Sequence, residues 1–214
     1  MKNVDETMTM KYEKSTECRK VIETMKLVTD QINNFISSLD HATTNSFVEA
    51  LLESNRIFIM GSGRSGLVAR AFAMRLMHLG LTVYVIGETT TPSVSEDDMV
   101  VAISGSGETN AIVSLGKVAK EKIGCRLATV TSNPDSTMGR LSDIIIKVPG
   151  RAQDEKQMQG YLERHMLGEY LQLMPLGTAF EINSLVYLDA VIAELMYRMG
   201  VSDADMRKRH ATIE

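Results

Sequence analysis

Apolar residues near the start of this chain recur at spacings of three and four. Val21, Met25, Val28, Ile32, Phe35, Ile36 and Leu39 follow that spacing with Lys and Glu between them, which predicts a long amphipathic helix over residues 11–39. After a break near Asp40-His41, Phe47, Val48, Leu51 and Leu52 predict a second helix over about 43–53. Neither helix carries obvious chemistry. The pair is expected to cover one face of a core or to meet another subunit.

From Arg56 the period changes. Ile57-Phe58-Ile59-Met60 is a short continuous apolar run, the pattern of a strand buried on both faces of a parallel sheet. Similar runs follow at Val83–Ile86, Met99–Ile103, Leu127–Thr131 and Ile144–Val148. Between them, residues 66–79 carry Leu67, Val68, Ala71, Phe72, Leu76 and Leu79 in helical spacing and end at Gly80. Residues 110–123 carry Ile112, Val113, Leu115, Val118, Ala119 and Ile123 and end at Gly124. This alternation predicts a three-layer doubly wound α/β sandwich on a five-stranded parallel sheet with additional N-terminal helices, for which a flavodoxin-like strand order, 2-1-3-4-5, is taken as the expectation.

Residues 150–174 are polar, and a partly helical path over Ala152 to Tyr170 would turn Tyr161, Leu162, Met166 and Leu167 inward. Pro175-Leu176-Gly177 punctuates the chain before a last helix over about 178–199, which holds Phe180, Leu185, Leu188, Val191, Ile192, Leu195 and Met196 and closes at Gly200. The tail places Asp203-Ala204-Asp205 ahead of basic residues and His210. With no repeat or linker visible, the 214 residues read as a single domain: a helical segment about 11–53, an α/β core about 54–149, and a C-terminal helical segment and tail about 150–214.

Composition narrows the function classes. The formal charge is −4, and the longest basic run is Arg207-Lys208-Arg209, which argues against nucleic-acid binding. No apolar run approaches the length that spans a bilayer, and the first residues lack the apolar stretch of a secretory signal, so a cytoplasmic protein is expected. Cys18 and Cys125 follow no metal-binding or disulfide spacing, and the His, Asp and Glu residues show no metal-ligand pattern, so no metal is expected. The fifteen methionines read as adaptable packing.

Chemistry concentrates in two loops. Gly61-Ser62-Gly63-Arg64-Ser65-Gly66 follows the first strand and opens a helix. Glycine lets backbone approach a ligand, the helix N-terminus offers unpaired N–H groups, and serine adds donors, so the loop is an anion cradle suited to phosphate. Its spacing also fits the dinucleotide fingerprint G-x-G-x-x-G, with Glu88 placed where a ribose-binding acid could sit. Ser104-Gly105-Ser106-Gly107-Glu108-Thr109 follows the third strand and opens the next helix. In the expected strand order both loops line one crevice at the topological switch point. Two hydroxyl-rich cradles suit a small phosphorylated polyol better than a nicotinamide nucleotide, which needs only the first. The plain alternative is a pair of tight turns with capping serines.

On these residues the sequence resembles the SIS domain family, whose phosphosugar site uses an S-x-S-x-x-T loop matched here by Ser104, Ser106 and Thr109. Within that family it is most similar to the 6-phospho-3-hexuloisomerases, through Gly61–Leu76, the Ser104–Thr109 loop, Pro175–Glu181 and the terminal Arg209–Glu214. The resemblance covers roughly residues 20–214. It implies interconversion of D-arabino-3-hexulose 6-phosphate and fructose 6-phosphate without metal or organic cofactor. It also implies a homo-oligomer, usually a tetramer, and functional coupling to the synthase that joins formaldehyde to ribulose 5-phosphate. On this reading Gly61, Ser62, Gly63, Arg64, Ser65, Ser104, Gly105, Ser106 and Thr109 bind the sugar phosphate. Glu181, at the start of the last helix beside Phe180, is the first candidate for the proton-transferring group. His210 is the second, from a tail folded over its own site or a neighbouring subunit's. A phosphosugar sensor without catalysis and a nucleotide-binding oxidoreductase are the competing classes.

Overall fold

The computed structural model describes residues 18–150 and 178–210. The expected structure for 150–174 and Pro175-Leu176-Gly177 therefore falls almost wholly outside the described residues, as do the first residues of the predicted N-terminal helix and the last four of the tail.

Five parallel strands form one sheet in the order β2-β1-β3-β4-β5. They are β1 (Ile57–Gly61), β2 (Val83–Val85), β3 (Met99–Ile103), β4 (Arg126–Thr131) and β5 (Ile144–Lys147). The two-residue period of a strand sorts their side chains between two cores. Ile57, Ile59, Met99, Val101 and Ile103 face one, with Ala128 and Val130; Phe58, Met60, Val100 and Ala102 face the other, with Leu127. This accounts for the continuous apolar runs, since both faces are covered.

The first face is covered by α1 (Arg19–Ser37), α2 (His41–Glu53), α3 (Gly63–Leu79), α6 (Thr178–Met199) and α7 (Asp203–Lys208). The second carries α4 (Asn110–Lys117), a π-helical turn (Val118–Ile123) and α5 (Thr137–Leu141). The helix predicted over 110–123 is thus regular only to Lys117. Its last turn widens so that both Gly124 and Cys125 donate to the Ala119 carbonyl, at 2.9 and 3.2 Å. α2 starts at His41, two residues before the predicted point, because Asp40 Oδ1 accepts from Ala42 N at 3.0 Å and Thr43 N at 3.1 Å. Among the described helices none is long and apolar enough to cross a membrane.

One ion pair, with Asp98 buried and Arg56 partly exposed, ties the start of β1 to the start of β3. Arg56, just before β1, donates to Asp98, just before β3, through Nε at 2.9 Å and Nη2 at 2.6 Å, and its guanidinium lies 5.3 Å from the Phe58 ring centroid. Ser95 adds its N–H and hydroxyl to Asp98, each at 2.7 Å. Burial alone would push the Asp98 carboxyl up, but these hydrogen bonds outweigh it and hold the group below the usual carboxylate range.

Candidate active site

β1 and β3 are hydrogen-bonded neighbours, and Gly61 is the register partner of Ile103. The two Gly/Ser loops therefore leave the sheet side by side. The chain then crosses to opposite faces, with α3 over one core and α4 over the other, and the parting of the two connections opens the crevice.

In the first loop α3 begins at Gly63, three residues before the predicted start, so Arg64 and Ser65 belong to its first turn. Ser62 is the extended residue before it, and its carbonyl accepts from Gly66 N at 3.3 Å. In the second loop the backbone reverses at Gly107, whose φ is +65°; a Cβ there would overlap Ser136 Oγ. Gly107 N donates to the Ser104 carbonyl at 3.1 Å, and Glu108 N to Ser106 Oγ at 3.2 Å. Glu108 Oε1 accepts from Thr137 N at 2.7 Å, and that backbone bond, with a further one from the Thr137 side chain, holds the carboxyl below its ordinary range.

The hydroxyls of these loops separate the two readings of them. Asp40, Ser136 and Ser202 each cap a helix with a side-chain oxygen. Ser62 and Thr109, the cap residues of α3 and α4, do not. Ser104 Oγ is buried and has no hydrogen-bond partner, which is costly unless a ligand or water supplies one. Ordinary turns with capping serines do not describe this arrangement; α3 and α4 instead present open N-terminal N–H groups beside unspent hydroxyls.

The start of α6 closes the crevice. Phe180 is buried on Gly105, where a Cβ would come within 3.1 Å of the ring. Beside it, the Glu181 carboxylate is only 13% exposed and accepts from Arg64 Nε at 2.6 Å. The contact joins the first loop to α6 across 117 residues of sequence. Asn183 Oδ1 and Ser184 Oγ, just beyond Glu181 on the same helix, are also buried without a partner.

Other sequence candidates lie elsewhere. Glu88 is paired with Arg70 at 3.0 and 3.1 Å. His210 stacks on buried His78, with ring centroids 4.8 Å apart, at the far end of α3. That helix has 17 residues and is about 25 Å long, so within one chain His210 is not brought to the loops. The two rings instead line a cavity of about 310 Å³ with Arg75, Asp189 and Met206.

Sequence reading missed the support beneath the second loop. The Gly105 carbonyl accepts from Ser132 N at 3.0 Å, Ser132 Oγ at 2.7 Å and Thr131 Oγ1 at 3.1 Å. Thr131 ends β4, the other neighbour of β3, and Ser132 follows it, so the expected strand order contained the signal. Among the described residues no group of three or more His, Cys, Asp or Glu could hold a metal ion.

The SIS domain profile matches residues 50–166, the span that contains both loops. The chain belongs to the SIS domain family. An Aeropyrum pernix relative without a stated activity is 48% identical over 91% of this chain and 92% of its own length. A Bacillus subtilis relative named 3-hexulose-6-phosphate isomerase is 35% identical over 91% of this chain and all of its own. A Methanococcus jannaschii crystal structure, for which the function of 3-hexulose-6-phosphate isomerase was inferred, matches with a TM-score of 0.73 at 32% identity, covering 90% of this chain and 99% of that one. The sheet order and helix layers of this SIS domain are therefore those of a fold shared across nearly the whole of both chains.

Proposed function

We propose that this SIS domain is a sugar-phosphate isomerase that interconverts D-arabino-3-hexulose 6-phosphate and D-fructose 6-phosphate, a step of formaldehyde metabolism in the ribulose monophosphate pathway. One observation carries the reading: two loops with uncommitted cap hydroxyls leave adjacent strand ends, with a carboxylate at their rim. The names of the Bacillus and Methanococcus relatives support the choice of sugar.

The phosphate is held by the first-turn amides of α3 and α4 and by the hydroxyls of Ser62, Ser65, Ser104, Ser106 and Thr109. Arg64 turns from Glu181 to the phosphate. Glu181 then takes the proton from C2 of the hexulose, giving the enediol, and returns one at C3. The two oxygens exchange a proton in the same step, so the carbonyl moves with no net oxidation and no cofactor. His210 of a neighbouring copy is assigned that exchange, in a homo-oligomer. Incubation with fructose 6-phosphate and hexulose-phosphate synthase should release formaldehyde and ribulose 5-phosphate. No release at micromolar enzyme contradicts the proposal.

A further inference from the structure

Ser184 carries a hydroxyl that its helix leaves unspent. The residue is fully buried and its Oγ has no hydrogen-bond partner. A serine or threonine inside a helix can spend its hydroxyl on the carbonyl four residues back. Thr24, Thr29 and Ser37 of α1 and Ser46 of α2 all do so, at 2.7, 3.0, 3.0 and 3.1 Å. For Ser184 that carbonyl belongs to Phe180, and the bond is not made. A buried donor left in this state is costly unless another group takes it up.

Glu181 is the group the helix places beside it. It stands three residues before Ser184 on α6, a spacing that makes two side chains neighbours on one helix face. Helical side chains also lean toward the N-terminus, which carries the hydroxyl toward the turn of Glu181. Asn183 Oδ1 is buried without a partner as well, but Asn183 stands two residues from Glu181, off that face, and its Nδ2 donates to the Pro149 carbonyl at 3.4 Å. Of the charged groups on neighbouring helices, Arg64 of α3 meets Glu181 at 2.6 Å. Arg75 of α3 meets Asp189 at 3.9 Å and Glu49 of α2 meets Arg198 at 4.0 Å, both farther along α6, and Asp203, Arg207 and His210 line the cavity at Asp189. With only 13% of its side chain exposed, the Glu181 carboxylate gains little from water once Arg64 turns away, and it needs another donor.

We propose, on the assignment of Glu181 as the base, that Ser184 is its positioning residue: as Arg64 passes to the phosphate, the Ser184 hydroxyl donates to the carboxylate and keeps it charged and in place. A double-mutant cycle read by carbon-13 NMR of the Glu181 carboxyl tests this. Loss of the signal in Glu181→Gln assigns it. Ser184→Ala alone should barely move the titration, because Arg64 still holds the carboxylate. Arg64→Ala frees the carboxylate without any ligand. Adding Ser184→Ala there should raise the titration midpoint by about half a unit or more, since a donor to the charged form is lost. Alanine suits a helix interior, so both variants should stay folded by thermal melt. In the enzyme assay Ser184→Ala should lower kcat about tenfold with KM unchanged, a split that lost packing alone does not give. Equal midpoints in Arg64→Ala with and without Ser184 overturn the proposal whatever the turnover, as does full kcat in Ser184→Ala. A shifted midpoint in a protein that does not turn over fructose 6-phosphate upholds the contact and counts against the proposed reaction.

Discussion

Arg64 Nε donates to Glu181 Oε2 at 2.6 Å, so the arginine proposed to bind phosphate is held by the carboxylate proposed to move the proton. The two partners are unequally buried, Arg64 at 60% side-chain exposure against 13% for Glu181. The arginine is the more exposed member. On the proposed mechanism, phosphate entering the crevice competes for it and leaves the carboxylate facing the sugar. Glu181→Gln should lower kcat by about 10²–10⁴ while substrate still binds. Arg64→Ala should act mainly on KM, raising it about tenfold or more. Because Arg64 leaves its side of the pair open to solvent, Arg64→Ala should lower the melting temperature by no more than a few degrees. Steady-state kinetics and thermal melts of both variants check these outcomes; full activity in Glu181→Gln removes that residue from the mechanism.

Gly105 and Phe180 fix how α6 approaches the second loop. The ring lies where a side chain at 105 would begin, 3.1 Å from that Cβ position. Gly105→Ala should displace the ring and carry Glu181 with it, lowering kcat/KM at least tenfold. Phe180→Leu, which removes the ring, should restore part of the loss. A Gly105→Ala enzyme with normal kcat/KM would show that this contact does not position the carboxylate.

Ser104 should respond unlike most buried residues. Its hydroxyl is enclosed without a partner, so Ser104→Ala removes a desolvated group and loses no internal hydrogen bond. The melting temperature should hold or rise. Substrate affinity should fall about 10-fold or more, the cost of one hydrogen bond to a charged group. Calorimetric titration beside a thermal melt separates the two effects. A destabilised variant with unchanged affinity contradicts this role.

The strands, the helices between them and the position of the two loops after strands one and three were legible from periodicity, because strands buried on both faces write uninterrupted apolar runs; the strand order came from the fold type, not from the pattern. The start of α3 was not: Gly63 and Ser65 look like loop residues, yet they form its first turn. Glu181 was legible as a candidate from its place beside Phe180 at the start of α6, but its partner was not, since nothing local in sequence ties it to Arg64. Ser132 and Thr131 were missed because they support a carbonyl, a role with no side-chain pattern. His210 shows the limit of motif reading: its tail resembles the family's, yet within its own chain it stacks on His78 a helix length from the loops.

Asp98 ties the stability of the fold to pH. Its carboxyl is held below the ordinary range, so the native state gains most where the unfolded carboxyl is ionised, above about pH 4, and loses that gain as pH falls through the lower native value. Asp98→Asn leaves Arg56 without its anion and should lower stability at neutral pH. The gap between variant and wild type should narrow steadily below about pH 4. Denaturant unfolding at a series of pH values checks this; a gap that stays constant into acid would mean the ion pair is not its source.

Proton exchange at one carbon reads the central claim most directly. Fructose 6-phosphate incubated with the protein in deuterium oxide should lose its C3 proton signal and accumulate the 3-hexulose isomer, both followed by NMR. Saturable binding with neither change would mark a sensor, and exchange at C1 alone would mark a different isomerase. Either result contradicts the account.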